Sequence, residues 1–156
     1  MDTVTYLGVI ERAPKNYSGF IPDVMGAIGV AGIREETLKS LSEGLALALE
    51  DLAERGLPVP VPSDLENLNL DEYEPEEPYE IVSVSPAKMN PVSIEVENAL
   101  ESTGVTRAEL ARRLGVPRSV VSRITDPFYF GHSVSTLRRV ADALGVDLQI
   151  RLAASP

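Results

Sequence analysis

Between Leu110 and Ile124 the chain places Arg112, Arg113, Arg118 and Arg123 without a counterbalancing cluster of acids, in a sequence of 156 residues whose formal net charge is −10. Guanidinium groups are planar, permanently charged forks that match phosphate oxygens and guanine edges. A basic cluster kept in an acidic protein therefore points to an anionic partner met locally. Two hydroxyls in the same stretch, Ser119 and Ser122, add short polar groups of the kind that bind bases or phosphates.

Carboxylates are the other chemistry to weigh. Two-metal cleavage of a phosphodiester needs acids converging on ions roughly 4 Å apart, and Glu11, Asp23 and Glu36 are the candidates. Each has a simpler reading. Glu11 ends a strand beside Arg12, Asp23 follows a proline at a turn, and Glu36 falls in a first helical turn, where the helix dipole favours acids. No catalytic residue and no metal ligand is assigned. The sequence has no cysteine, which excludes disulfides, thiolate metal sites and cysteine nucleophiles. His132 stands without metal partners and reads as a local cap or packing group. The spacing of Gly26, Gly29 and Gly32 is not that of a dinucleotide-binding loop and reads as a tightly packed strand.

The elements that must position these residues fall into two unlike halves. Residues 1–80 hold 5 Lys/Arg against 17 Asp/Glu, a balance of −12, and residues 81–156 hold 9 against 7, a balance of +2. We expect a first domain over residues 1–85, a linker over 86–91 closed by Pro86 and Pro91, and a second domain over 92–156. No apolar run approaches the roughly 18 residues of a membrane span, and the N-terminus lacks the regions of a signal peptide, so a cytoplasmic location is expected.

The fold class expected is α+β. β-branched and aromatic residues predict strands in "TVTYLGVIERA" and "YSGFIPDV", joined by turn chemistry in "APKN", and a third in "AIGVAG". Leu38, Leu41, Leu45, Leu49 and Leu52 then recur at spacings of three and four, one face of a helix from Ile33 to Arg55, with Gly56 as its stop. A proline- and acid-dense stretch, Gly56 to Glu80, precedes a last strand from Tyr79. In the second half four helices are expected. Asn90 caps the first, with Val92, Val96 and Leu100 inward. Thr106 and Glu109 form a capping box for the second, which ends at Gly115. The third spans Arg118 to Ile124, and the fourth runs from about Thr136 to Leu144. After Gly145, Val146, Leu148, Ile150 and Leu152 alternate with polar residues, a half-buried strand by period.

Tyr17, Pro22, Asp23, Gly26, Gly32, Glu36, Gly56 and Pro60 together make a pattern that resembles the N-terminal domain of HicB-type antitoxins, with Ala27 where that family commonly has cysteine. The resemblance implies a truncated ribonuclease-H-like β-β-β-α-β unit. In the second half Thr106, Leu110, Ala111, Leu114, Gly115, Val116, Val121, Ser122 and Ile124 resemble the helix-turn-helix of the Xre or lambda-repressor-like family, although Pro117 stands where Ser or Thr is common.

These resemblances imply an antitoxin with two partners. The acidic domain neutralises a small basic HicA-like ribonuclease, and the helix-turn-helix represses the shared operon by binding operator DNA, with no cofactor. The resemblance places Arg118, Ser119, Val120, Ser122 and Arg123 on the helix that enters the major groove, with Arg112, Arg113 and Thr106 nearer the phosphates. Half-site reading implies a homodimer or higher homo-oligomer, for which Phe128, Phe130, Leu148, Ile150 and Leu152 are the candidate contacts. The alternative is a stand-alone repressor whose first domain senses a small ligand.

Overall fold

Short runs of β-branched and aromatic residues separated by tight turns build the first sheet. The computed structural model describes residues 4–75 and 78–155. Thr3, expected to open the first strand, and Glu76 and Glu77 of the acidic stretch lie outside the described residues. The chain divides into two compact units, Met1–Lys88 and Met89–Pro156.

In the first unit β1 (Tyr6–Arg12), β2 (Tyr17–Phe20), β3 (Ile28–Ala31) and β4 (Tyr79–Val84) form an antiparallel sheet in the order β3-β2-β1-β4, with helix α1 (Arg34–Glu54) between β3 and β4 in sequence. This is the β-β-β-α-β order expected. Register sets the faces. Gly8 pairs with Val82 in β4, and Gly19 pairs with both Ile10 in β1 and Gly29 in β3. A Cβ at Gly29 would lie 2.4 Å from the backbone nitrogen of Leu41, and one at Gly44 would lie 2.4 Å from the carbonyl oxygen of Ile28. Two glycines thus let α1 and β3 approach backbone to backbone, which is the tight packing expected of the glycine-rich strand.

Leu41 and Leu45 are fully buried beneath α1, with Tyr6, Ile10, Ile21, Val24, Ala27 and Val84 completing the core. Leu38 and Leu49 pack against it half-buried. Among its described residues the proline- and acid-rich segment after α1 forms no helix. Side chains pin it to the sheet end. The Tyr6 hydroxyl donates to the Pro60 carbonyl at 2.7 Å, Asp23 accepts from both the backbone N–H and the hydroxyl of Ser63 at 2.7 Å, and Tyr73 stacks on Phe20 with ring centroids 4.6 Å apart.

The second unit comprises α2 (Pro91–Thr103), α3 (Arg107–Leu114), α4 (Arg118–Ile124) and α5 (Val134–Leu144). Local chemistry explains the boundaries. Asn90 caps α2 by accepting from the Val92 N–H, with Pro91 at the first helical position, and α2, α3 and α5 each stop at a glycine in the left-handed region, Gly104, Gly115 and Gly145. Only glycine takes that conformation without a Cβ penalty. Helix α5 starts at Val134, not Thr136, because Ser133 is its cap and accepts from the Thr136 N–H. Val96, Leu100, Leu110, Ala111, Leu114, Val121, Ile124, Val140 and Leu144 make one core.

One expectation is corrected here. The strand expected after Gly145, whose edge is expected to pair with the same strand of a second copy, carries no ladder within the single chain: residues 146–155 are irregular, and Leu148, Ile150 and Leu152 are exposed. A strand needs a neighbouring edge to satisfy its backbone, and none in this unit supplies one. The capping box is half made. Thr106 does accept from the Glu109 N–H, but the Glu109 carboxylate turns to Arg112 and Arg113 instead of back to Thr106. Among the described residues no helix is long and apolar enough to cross a membrane.

Candidate nucleic-acid interface

The site is built around the turn between α3 and α4. Ala111 and Leu114 on α3 and Val121 and Ile124 on α4 are buried against one another's core, and small Ala111 allows close approach. Gly115 reverses the chain with φ 67°, Val116 packs half-buried, and Pro117, with φ −61° and ψ 152°, leads into α4 without a side-chain cap. With Val121 and Ile124 committed inward, the helical period turns Arg118, Ser119, Ser122 and Arg123 outward, and all four are exposed.

Val120 stands apart from that set. It is half-buried and packs against the unit's core, so most of its side chain is not offered to a ligand. Neither Arg118 nor Arg123 makes an ion pair among the described residues. The Arg123 guanidinium lies 5.9 Å from the centre of the Tyr129 ring, within reach of a cation–π attraction that leaves its N–H groups open to other acceptors.

The α3 arginines are differently employed. Arg112 grips Glu109 with two bonds of 2.8 and 2.5 Å, and Arg113 donates to the same carboxylate at 3.0 Å. The two guanidiniums hold the Glu109 carboxyl down at about 2, well below the usual carboxylate range. Arg113 also donates to the Ala143 carbonyl at 2.8 Å, while Arg139 donates to the Leu114 carbonyl at 2.6 Å. Each thus closes off a carbonyl near the C-terminal end of the other's helix. Thr106 is exposed, with its hydroxyl oxygen engaged as the α3 cap.

Behind the site the segment 125–133 is tied down by His132. Its Nε2 lies 2.7 Å from the Ile124 carbonyl, an acceptor, so this nitrogen carries the proton and Nδ1 is left to accept from the Asn90 amide at 3.3 Å. Asn90 also donates to the Tyr129 carbonyl at 2.9 Å. The lone histidine is therefore a packing and hydrogen-bonding group, as expected. Phe128 is half-buried and Phe130 exposed.

Sequence reasoning missed Tyr129 as the neighbour of Arg123, because a separation of six residues through a helix end has no periodic signature. It also missed Arg139 as the cap of α3. An arginine 25 residues past a helix end carries no local sign of that role. Of the carboxylates weighed for metal binding, Asp23 is engaged by Ser63, Glu11 accepts from the Ser18 hydroxyl, and Glu36 lies exposed in the first turn of α1. Among the described residues no group of three His, Cys, Asp or Glu could hold a metal ion.

The sequence matches no family model and no curated protein. Solved structures do match. The chain is similar to one in a HicA3–HicB3 toxin-antitoxin complex, at 24% identity and a TM-score of 0.45 over 54% of this chain and 99% of that one. It is similar to a chain of a toxin-antitoxin complex from Streptococcus pneumoniae at 21% identity and a TM-score of 0.46, over 78% of this chain and 95% of that one. A HicB3 antitoxin is matched at 22% identity and a TM-score of 0.43, over 72% of this chain and 98% of that one.

Proposed function

We propose that this chain is an antitoxin of a toxin-antitoxin pair, which binds and silences a small basic ribonuclease through its first unit and represses its own operon through α3 and α4. The observation that carries the DNA-binding half is the exposure of Arg118 and Arg123, free of ion pairs among the described residues, on a helix that follows a glycine turn in an otherwise acidic protein. Arg118 and Arg123 read base edges in the major groove, with Ser119 and Ser122 beside them. Arg112, exposed and able to exchange Glu109 for a phosphate, contacts the backbone, and Arg113 orients α3 against α5.

Support for the other half is the HicB-like pattern together with what its residues do. Asp23 binds Ser63, Pro60 accepts from Tyr6, and Gly56 takes φ 64° to end the α1 segment, so the motif fastens the acidic segment to the sheet. An acidic surface held in place on a small fold suits a basic partner. The reading assigns the protein no catalytic residue and no cofactor. Two copies read two half-sites, joined through Phe128, Phe130 and the Leu148, Ile150 and Leu152 segment.

The test uses the full chain with the small basic protein encoded beside it. Inhibition of that protein's RNA cleavage and a footprint on the DNA upstream of the pair are the expected results. A neighbour that is no nuclease, or one left fully active at saturating concentrations of this chain, overturns the reading.

A further inference from the structure

A groove of about 650 Å³ runs between the Met25–Gly26 turn and the second half of α1, lined by Met25, Ile28, Leu47, Leu52 and Leu57 with Gly44 at its floor. It belongs to the first unit alone. Met25 is 91% exposed, Ile28 63%, Leu47 47% and Leu57 41%, a contiguous apolar surface beside the outermost strand β3. Leu47 does not belong to the buried stripe of α1. Its neighbours on the helix surface, three and four residues away, are Glu43, Gly44, Glu50 and Asp51. Glu43 and Glu50 make no ion pair among the described residues, while Asp51 shares its charge with Arg55 at 3.1 Å.

The charged groups in the groove wall, Asp51 and Arg55, balance each other, and the unbalanced acids Glu43 and Glu50 lie beside it on α1; an apolar centre with acids alongside suits a protein-docking site, where burial of a central side chain supplies affinity and flanking charge selects the partner. The charge also chooses among occupants. A second copy would bring a half of −12 against a half of −12, and like charges juxtaposed disfavour that pairing. A basic protein brings the complement. Gly44 keeps the floor low, because any side chain there would strike the Ile28 carbonyl.

We infer that this groove is where the first unit seats an apolar side chain of a basic protein partner, with Glu43 and Glu50 meeting the cations around it. This inference rests on the antitoxin reading, and it names the surface that reading leaves open.

The experiment titrates full-length chain with the small basic protein encoded beside it, comparing the native sequence with Leu47→Glu, Glu50→Lys and, as a control on the proline- and acid-rich segment after α1, Val61→Glu, whose residue is 85% exposed outside the groove. Leu47→Glu is expected to weaken binding about 30-fold, the size of a hot-spot loss. Glu50→Lys should slow association several-fold, and Val61→Glu should bind as the native chain. Far-ultraviolet circular dichroism and the thermal midpoint, measured in parallel, report that the first unit of each variant is folded; should Leu47→Glu fail there, Glu50→Lys decides alone. Native affinity and association rate in both groove variants overturn the inference while the antitoxin reading stands. A change in sedimentation of Leu47→Glu by itself, with binding intact, assigns the groove to a second copy and overturns it too. No binding by the native chain removes the antitoxin reading and the groove with it.

Discussion

Arg113 on α3 donates to the carbonyl of Ala143 on α5 across 2.8 Å, tying two helices that meet nowhere in the local sequence. The return bond, Arg139 to Leu114, makes the pair reciprocal. Cations near helix C-termini satisfy carbonyls that the helix itself leaves open. Both arginines therefore have structural work, unlike Arg118 and Arg123 on the exposed face of α4.

Arg113→Ala and Arg139→Ala are each expected to cost about 1 kcal/mol of stability, the net worth of a hydrogen bond of this kind. Urea denaturation measures it. A midpoint unchanged in both variants would mean that the exchange contributes nothing in solution.

For DNA the expectation is opposite in kind. Arg118→Ala or Arg123→Ala should cost about 1–3 kcal/mol on the specific operator and little on random DNA, whereas Arg112→Ala should weaken both alike. Competition binding at fixed salt reads the difference, and equal losses for all three would remove α4 as the reading helix.

Glu109 supplies a pH dependence whose sign is fixed. Its carboxyl is held at about 2 in the folded chain, against an ordinary value of 4.5, so its ion pairs contribute fully above the ordinary value and are lost as pH falls from there through about 2. Stability of the second unit should therefore fall less steeply below pH 4.5 in Glu109→Gln than in the native chain. Carboxyl titration by NMR in the intact protein should place the Glu109 midpoint near 2, and a midpoint near 4.5 would mean that the arginines do not engage it.

The close approach of α1 to β3 makes Gly29→Ala costly, about 1–3 kcal/mol on the scale of overpacked cores, because its Cβ meets helix backbone that cannot rotate away. Gly32→Ala has open space at the same point of its residue and should change stability by less than about 0.5 kcal/mol. Thermal midpoints of the two variants, compared directly, test the contrast.

Removing residues 146–156 tests the proposed dimer contact. The shortened chain keeps every helix, and it should sediment as a smaller species and lose operator affinity because two half-sites are no longer read by one assembly. A truncated chain that stays dimeric and keeps its affinity would place the dimer contact elsewhere.

Much of this architecture is written locally. Asn90 with Pro91, Thr106, the glycines at 104, 115 and 145, and the leucine period of α1 act within one or two helical turns, so residue type and spacing determine them before any tertiary contact forms. The strand-strand-strand-helix-strand order follows from the same short-range signals. Even Leu47 could have been found there, an extra leucine off the buried stripe with acids three and four residues away.

What only the tertiary structure decided are the allegiances of groups with several possible partners. Glu109 could have closed its capping box but meets two guanidiniums instead. Asp23 binds Ser63, forty residues on, and Val120 packs inward from a helix otherwise read as a contact face. The alternation after Gly145 gives a strand's period, yet a period does not supply the second edge that a strand's backbone needs. Each of these outcomes depends on which group the folded chain brings within about 3 Å, a distance set by packing and not by sequence separation.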